Sequence, residues 1–334
     1  MAPREVRQPQ VAARLLTLAA AFVVVAPVVF GGARALVLSA AFLLEFLSDG
    51  GVPALTALTP PPVVGALGAA TDRYRPRGLA SGAPLVLVHG LTSGGKDDPR
   101  LRRAAALLAR VGFDVAVPTI PGLTRGRLRP DDARPVVEAL RARSAPARLV
   151  SISVGAAPAF LAAADPAVAG RVHLLLALGP HASALELIRF HLTGEYGWGT
   201  VRGQAGRQPE EVTRALIEAN AELADPTLRA ALATGDTARV DAAIAALPPT
   251  TRALMAQLSP EQTVTAIRAP IVLVHGRADP AVPYSESLRL AAARPAQTRV
   301  VLVGAIGHVE GAAGRSGGAD LLRLLGVVYE LLSR

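Results

Sequence analysis

Three places in this sequence gather residue types that can do chemistry. In the first, Leu149-Val-Ser-Ile-Ser153-Val-Gly155-Ala-Ala, a β-branched run passes through a tight turn into small residues of helical character. A serine there is presented at a strand end with its Oγ exposed, and the helix N-terminus behind it favours negative charge. Such a hydroxyl becomes a nucleophile when a neutral imidazole takes its proton, and the imidazole needs a partner that fixes its tautomer. In the second place, Ala269-Pro-Ile-Val-Leu-Val-His-Gly276 runs into Arg277-Ala-Asp279-Pro280, putting a carboxylate at a strand end. In the third, His308 follows the last apolar run, in Gly304-Ala-Ile-Gly307-His308. A near copy of the second run, Ala83-Pro-Leu-Val-Leu-Val-His-Gly90, leads into Leu91-Thr-Ser-Gly-Gly95, whose backbone N–H groups can approach a ligand closely. Plainer roles exist for each: a chance Ser-x-Ser-x-Gly string, an Asp279 that caps a helix beginning near Pro283, and a solvated loop histidine.

The elements that must position these groups are short apolar runs at Pro84–Val88, Asp114–Val117, Arg148–Ile152, Val172–Leu178, Ile271–Val274 and Arg299–Val303. Most are separated by Ala/Leu/Arg stretches of helical period, as in Leu101, Ala104, Leu108 and Val111. Near-continuous apolar strands alternating with amphipathic helices imply an α/β fold, its mostly parallel sheet covered by helices on both faces. Ligands then bind at the carboxyl ends of the strands, where Ser153, Asp279 and the Gly-rich turn fall.

Ser151-Ile-Ser153-Val-Gly155 resembles the nucleophile elbow of the α/β-hydrolase superfamily, G-x-S-x-G, with Ser151 in place of the first glycine. The resemblance runs from about residue 70 to 334 and keeps the family's order of nucleophile, acid and histidine. It implies Ser153 as nucleophile, His308 as general base and then acid, and Asp279 as orienting carboxylate. Backbone N–H groups of Val154 and Leu91 would form the oxyanion hole. It further implies that 70–180 and 269–334 make the hydrolase core and that 181–268, helical by period in Glu211–Ala219 and Thr237–Leu247, forms a cap. Gly194-Glu-Tyr196-Gly-Trp198-Gly is a pocket-lining or hinge candidate, or an aromatic pair packed on its own helices. The activity implied is hydrolysis of a carboxylic ester, small-molecule or lipid. The alternatives are another acyl transfer or hydrolysis (thioester, amide) and a non-catalytic binding module on the same fold. No cofactor and no metal site is expected. His89 and His275 end strands in His-Gly turns and read as structural.

Composition narrows the partners. With 35 Lys+Arg against 26 Asp+Glu the net charge is +9, yet Lys96 is the only lysine, and the excess is local: eleven arginines against four acids over 100–148. Twelve aromatics, none interleaved with arginine as a base-stacking surface, argue against nucleic acid. Arg125, Arg127 and Arg129 could meet an anionic substrate or lipid headgroups, or form a solvated face. No cysteine is present, which excludes disulfides and thiolate chemistry. At the N-terminus, Leu15–Ala33 is an uncharged run of nineteen residues, about 28 Å as a helix and close to a bilayer core. It is expected to span once, with Arg4, Arg7 and Arg14 holding the N-terminus in the cytoplasm and the catalytic domain outside. The alternative is a signal peptide cleaved around Ala33-Arg34-Ala35, leaving a secreted or periplasmic protein. Residues 1–47 are taken as the anchor region, with Ala35–Leu47 an interfacial or ordinary buried helix, and the Pro/Gly-rich 48–69 as a linker.

Overall fold

The computed structural model describes residues 31–78, 82–205, 218–220, 236–304 and 317–333. In chain order its elements begin with helices α1 (Gly31–Leu47) and α2 (Ala54–Leu58), then strands β1 (Val63–Gly68), β2 (Thr71–Arg75) and β3 (Ala83–Val88). Next come α3 (Pro99–Arg110), β4 (Phe113–Pro118), α4 (Ala133–Arg141), β5 (Ala147–Ile152), α5 (Ala156–Ala164) and β6 (Val172–Leu178). A second set follows: α6 (Ala184–Thr193), β7 (Glu195–Trp198), β8 (Val201–Gln204), α7 (Thr237–Ala245) and α8 (Pro249–Gln257). The chain then returns through β9 (Ile271–Gly276), α9 (Ser285–Ala293), β10 (Thr298–Val303) and α10 (Gly318–Ser333).

Eight strands form one sheet in the order β1-β2-β4-β3-β5-β6-β9-β10. The β1–β2 and β2–β4 pairs are antiparallel, and every other neighbouring pair is parallel. All six apolar runs of the sequence are strands of this sheet. Their side chains are buried alternately on two sides, which is why they read as unbroken hydrophobic stretches. On one face Leu149, Leu175 and Leu273 pack against Val136 and Leu140 of α4 and Phe160 of α5. On the other, Val150, Leu176 and Val274 pack under Phe42 of α1, Leu108 of α3 and Val328 of α10.

Two expectations about the N-terminal part need correction. The stretch 48–69, expected as a linker, contains α2 and β1, and β1 is an edge strand of the main sheet. Its Pro60-Pro61-Pro62 only leads into that strand; an edge position tolerates proline nearby because one side of the strand makes no ladder bonds. Residues 31–47, grouped with the anchor region, belong to the folded layer, which is the buried-helix alternative for Ala35–Leu47: α1 buries Leu38, Ala41, Phe42 and Leu43 over the sheet. Glu45 of α1 accepts from the Thr56 N–H (2.8 Å) and the Thr56 hydroxyl (2.6 Å), tying α1 to α2. The expected span Leu15–Ala33 lies, up to residue 30, outside the described residues. Among the described residues no helix is long and apolar enough to cross a membrane.

Candidate active site

The turn after β5 holds a strained residue. Ser153 has φ of +54°, in the left-handed region that an L-residue other than glycine enters rarely, and only Asp49 shares this among the described non-glycine residues. The conformation is held because two neighbours have no side chain. A Cβ on Gly155 would overlap the carbonyl oxygen of His89, and one on Gly90 would sit 3.1 Å from the Ile152 carbonyl oxygen and 3.2 Å from Ser153 Cβ. The end of β3 and the elbow are therefore pressed together. Ser153 is left 8% exposed at the carboxyl end of β5, followed by a single 3-10 turn and then α5. Ser151 lies inside β5, opposite Val88 and Ala177, with its hydroxyl buried and making no hydrogen bond among the described residues. It fills the position where the motif carries glycine, and it is more enclosed than Ser153.

The same close approach brings in the Gly-rich turn. His89 is buried; its Nε2 accepts from the Ile120 N–H (2.9 Å), so the proton is on Nδ1, which donates to the Gly90 carbonyl (2.7 Å). Burial lowers its pKa, outweighing the Gly90 bond and the nearby Asp98 charge, which keeps the ring neutral. Because the Gly90–Leu91 peptide is trans, holding its C=O toward His89 turns the Leu91 N–H the opposite way. That N–H donates to no group among the described residues, and Leu91 is 40% exposed. Downstream, Asp98 caps α3 through the Arg100 and Leu101 N–H groups and also accepts from the Thr92 hydroxyl (2.6 Å). Burial pushes Asp98 up, but these bonds and Arg100 outweigh it and bring it to about 2.

Asp279 is buried on the loop after β9. Its Oδ1 accepts from the N–H groups of Ala281 (2.8 Å) and Val282 (2.9 Å), an Asx turn that closes before α9 begins, so it does not cap that helix. The loop is held from outside by two histidines: His275 Nε2 donates to the Val282 carbonyl (2.9 Å) and His191 Nε2 to that of Ala281 (2.9 Å). His275 Nδ1 accepts from the Ser287 hydroxyl (2.7 Å), and its Nε2 is 3.6 Å from Asp279 Oδ2. Ile152 pairs with Leu178 and Leu178 with Val274, so the β5 and β9 tips are two strand spacings apart, about 10 Å. Val303 at the end of β10 lies beside Gly276, at the same edge as the Asp279 loop. His308 itself lies outside the described residues. Beneath these tips an apolar cavity of about 120 Å³ between the sheet and α1, α3 and α10 reaches Ile152, Gly179 and Asp279.

No protein-family model matches the sequence, and no curated protein does. Among solved structures the chain is similar to an acylaminoacyl peptidase in complex with Z-Gly-Gly-Phe-chloromethyl ketone, at TM-score 0.51 and 14% identity. It is similar as well to the orthorhombic form of the Pyrococcus horikoshii acylaminoacyl peptidase, at TM-score 0.51 and 13% identity. Each match covers 83% of this chain and 41% of the other, so the chain spans about two fifths of the length of these peptidases. The chain adopts the α/β-hydrolase fold.

In this α/β-hydrolase fold the segment between β6 and β9 was expected to be helical. It contains α6, α7 and α8, and also the hairpin β7–β8, which the sequence expectation missed. The glycines of Gly194-Glu-Tyr-Gly-Trp-Gly alternate with aromatics as a strand requires, with Gly197 and Gly203 giving way to Arg202 and Tyr196 across the hairpin. Tyr196 packs edge-on against Phe190 of α6 and Tyr284, and Trp198 lies under the Arg289 guanidinium at 4.4 Å. Arg289 of α9 also meets Glu186, Glu261 and Glu286, while Glu286 accepts from the Ala182 and Ser183 N–H groups (both 2.9 Å). These contacts fasten the inserted segment to the core. Residues 211–217 of the expected cap helix lie outside the described residues. Of the basic trio, Arg125 and Arg127 are exposed, whereas Arg129 donates to the Leu128 carbonyl and to Asn220 of the insertion. His181 is fully buried against the Leu258 carbonyl, and burial lowers it to about 4.

Proposed function

We propose that this chain is a serine hydrolase that cleaves a carboxylic ester through an acyl-enzyme, with Ser153 as nucleophile, His308 as general base and acid, and Asp279 as the carboxylate that orients it. The observation that carries this reading is Ser153 held at positive φ between two glycines at the end of a central strand. Strain of that kind persists where the surroundings over-determine it, and here it lifts one hydroxyl out of the sheet. Attack by Ser153 Oγ on the ester carbonyl passes its proton to His308, and the N–H groups of Leu91 and Val154 receive the oxyanion. His308 then protonates the leaving alcohol, and water repeats the sequence to release the acid. Amide and thioester substrates use the same groups; the likeness to acylaminoacyl peptidases speaks for the fold and leaves the acyl substrate open to experiment.

A fluorophosphonate probe tests the nucleophile. Wild type and Ser151→Ala are expected to label, and Ser153→Ala is not; labelling that survives Ser153→Ala would remove Ser153 from the mechanism. The uncharged run Leu15–Ala33 carries a further part of the proposal, a single membrane span with the catalytic domain extracytoplasmic. A reporter fused at the C-terminus is expected to be active only outside the cytoplasm, and activity inside it rejects this orientation.

A further inference from the structure

At the opposite end of the strands from Ser153 lies a second cavity, of about 300 Å³. It is bounded by Gly31, Arg34 and Leu38 of α1, Phe113 of β4, Arg148 of β5 and Ser333 of α10. No carboxylate is among the described residues that line it. Arg148 is only 7% exposed, its guanidinium lies 5.1 Å from the centre of the Phe113 ring, and its Nε is buried without a hydrogen-bond partner among the described residues. Among those residues neither Arg148 nor Arg34 makes an ion pair or a side-chain hydrogen bond.

The contrast with Arg143 defines what is unusual here. Arg143 is buried a few residues away, and it has a carboxylate: Asp114 at 2.8 Å, itself also held by Arg73. A buried guanidinium normally comes with such a partner, because taking the charge out of water is costly unless an anion and hydrogen bonds replace the solvent. Arg148 has the burial and an aromatic wall without the anion, and a second cation, Arg34, faces the same space. The guanidinium fork matches phosphate oxygens, and a phosphate ester presents tetrahedrally arranged oxygens that two separate cations can share, where a planar carboxylate suits one fork. The cavity has room for one.

We propose that Arg34 and Arg148 form a binding site for a phosphate ester at the amino ends of the strands, the chemistry shared by a phospholipid headgroup and a soluble phosphate ester. The setting suits the lipid: in sequence, the uncharged run Leu15–Ala33 ends at the Gly31 and Arg34 that line this cavity. A headgroup bound here holds the strand amino ends at the bilayer and turns Ser153, at the carboxyl ends, away from it.

The test uses the full chain in neutral detergent, titrated with sn-glycerol 3-phosphate, and the same chain in phosphatidylcholine discs with and without phosphatidylglycerol. The readout is the thermal midpoint against sodium chloride at matched ionic strength. Wild type is expected to show a saturable rise, and Arg148→Gln and Arg34→Gln to weaken the half-saturation point by about tenfold or more, the loss of one charge-assisted hydrogen-bonded contact. Arg34 is half-buried, so its substitution spares the core, and near-UV circular dichroism checks that each variant is folded. A response to glycerol phosphate in detergent identifies a soluble ester as sufficient; one confined to phosphatidylglycerol discs identifies the lipid headgroup. No saturable response to either probe, or a response unchanged in both variants, overturns the proposal.

Discussion

The near copy of one strand in another, Ala83–Gly90 and Ala269–Gly276, has a physical basis at the level of single residues. Each ends in a buried histidine that uses one nitrogen to hold a carbonyl of the loop beyond it and the other to meet a distant group. His89 fixes the peptide that carries the Leu91 N–H, and His275 fixes the loop that carries Asp279. That Ser153 and Asp279 lie just beyond strand ends was legible because an apolar run that stops at a small or acidic residue marks such an end. The work of His89 and His275 was not, since their partners Ile120 and Ser287 come from elements that only the fold brings near. If His89 positions an oxyanion donor, His89→Ala leaves the Gly90–Leu91 peptide free to turn. A loss of about tenfold to a hundredfold in kcat is then expected, less than the roughly hundredfold to thousandfold found for removing such a donor outright because the N–H is misdirected and not deleted, with KM changed far less. Steady-state kinetics on an activated ester measures the split, and a loss confined to KM would assign His89 to substrate binding instead.

Among the elements, the six parallel strands could be read because burial on both faces makes them short, nearly unbroken apolar runs rich in β-branched residues and bounded by turn residues. The β1–β2 and β7–β8 hairpins escaped because their strands are half-exposed and interrupted by glycine or by charged residues. The segment joining β3 to α3 depends on one carboxylate. Asp98 caps α3 and holds Thr92 of the Gly-rich turn, and its pKa lies near 2 in the folded chain, below the usual carboxylate range near 3.9. A depressed carboxylate stabilises the fold above its unfolded pKa, and that contribution fades as the pH falls through the folded value. Asp98→Asn is therefore expected to lower stability at pH 7 by roughly 2 kcal/mol and to differ progressively less from wild type between about pH 4 and 2. Urea unfolding across that range measures it; a deficit that persists undiminished to pH 2 would place the effect in packing rather than charge.

For the molecule as a whole, α1 is the helix whose partner the sequence leaves open. Its run of Ala and Leu with one arginine and one glutamate suits an anchor or a buried helix alike, because hydropathy cannot distinguish lipid from a sheet face as the apolar partner. Burial decides it: Leu38, Phe42 and Leu43 share a core with Leu176 and Val274 of the sheet and Val328 of α10, and Glu45 is held by Thr56. Three large side chains at roughly 1.5 to 3 kcal/mol each amount to about 5 to 9 kcal/mol, a large fraction of the 5 to 15 kcal/mol that holds a typical domain folded. A chain that starts at Gly31 keeps this layer, and one that starts at Ser48 removes it and uncovers the central strands on that face. The first is expected to unfold cooperatively with a midpoint close to that of the full chain. The second is expected to bind a hydrophobic dye and to lose its near-UV circular dichroism while retaining much of its far-UV signal, as a state with secondary structure and no fixed packing does. Cooperative unfolding of the Ser48 chain at an unchanged midpoint would make α1 an appendage of the fold instead of one of its layers.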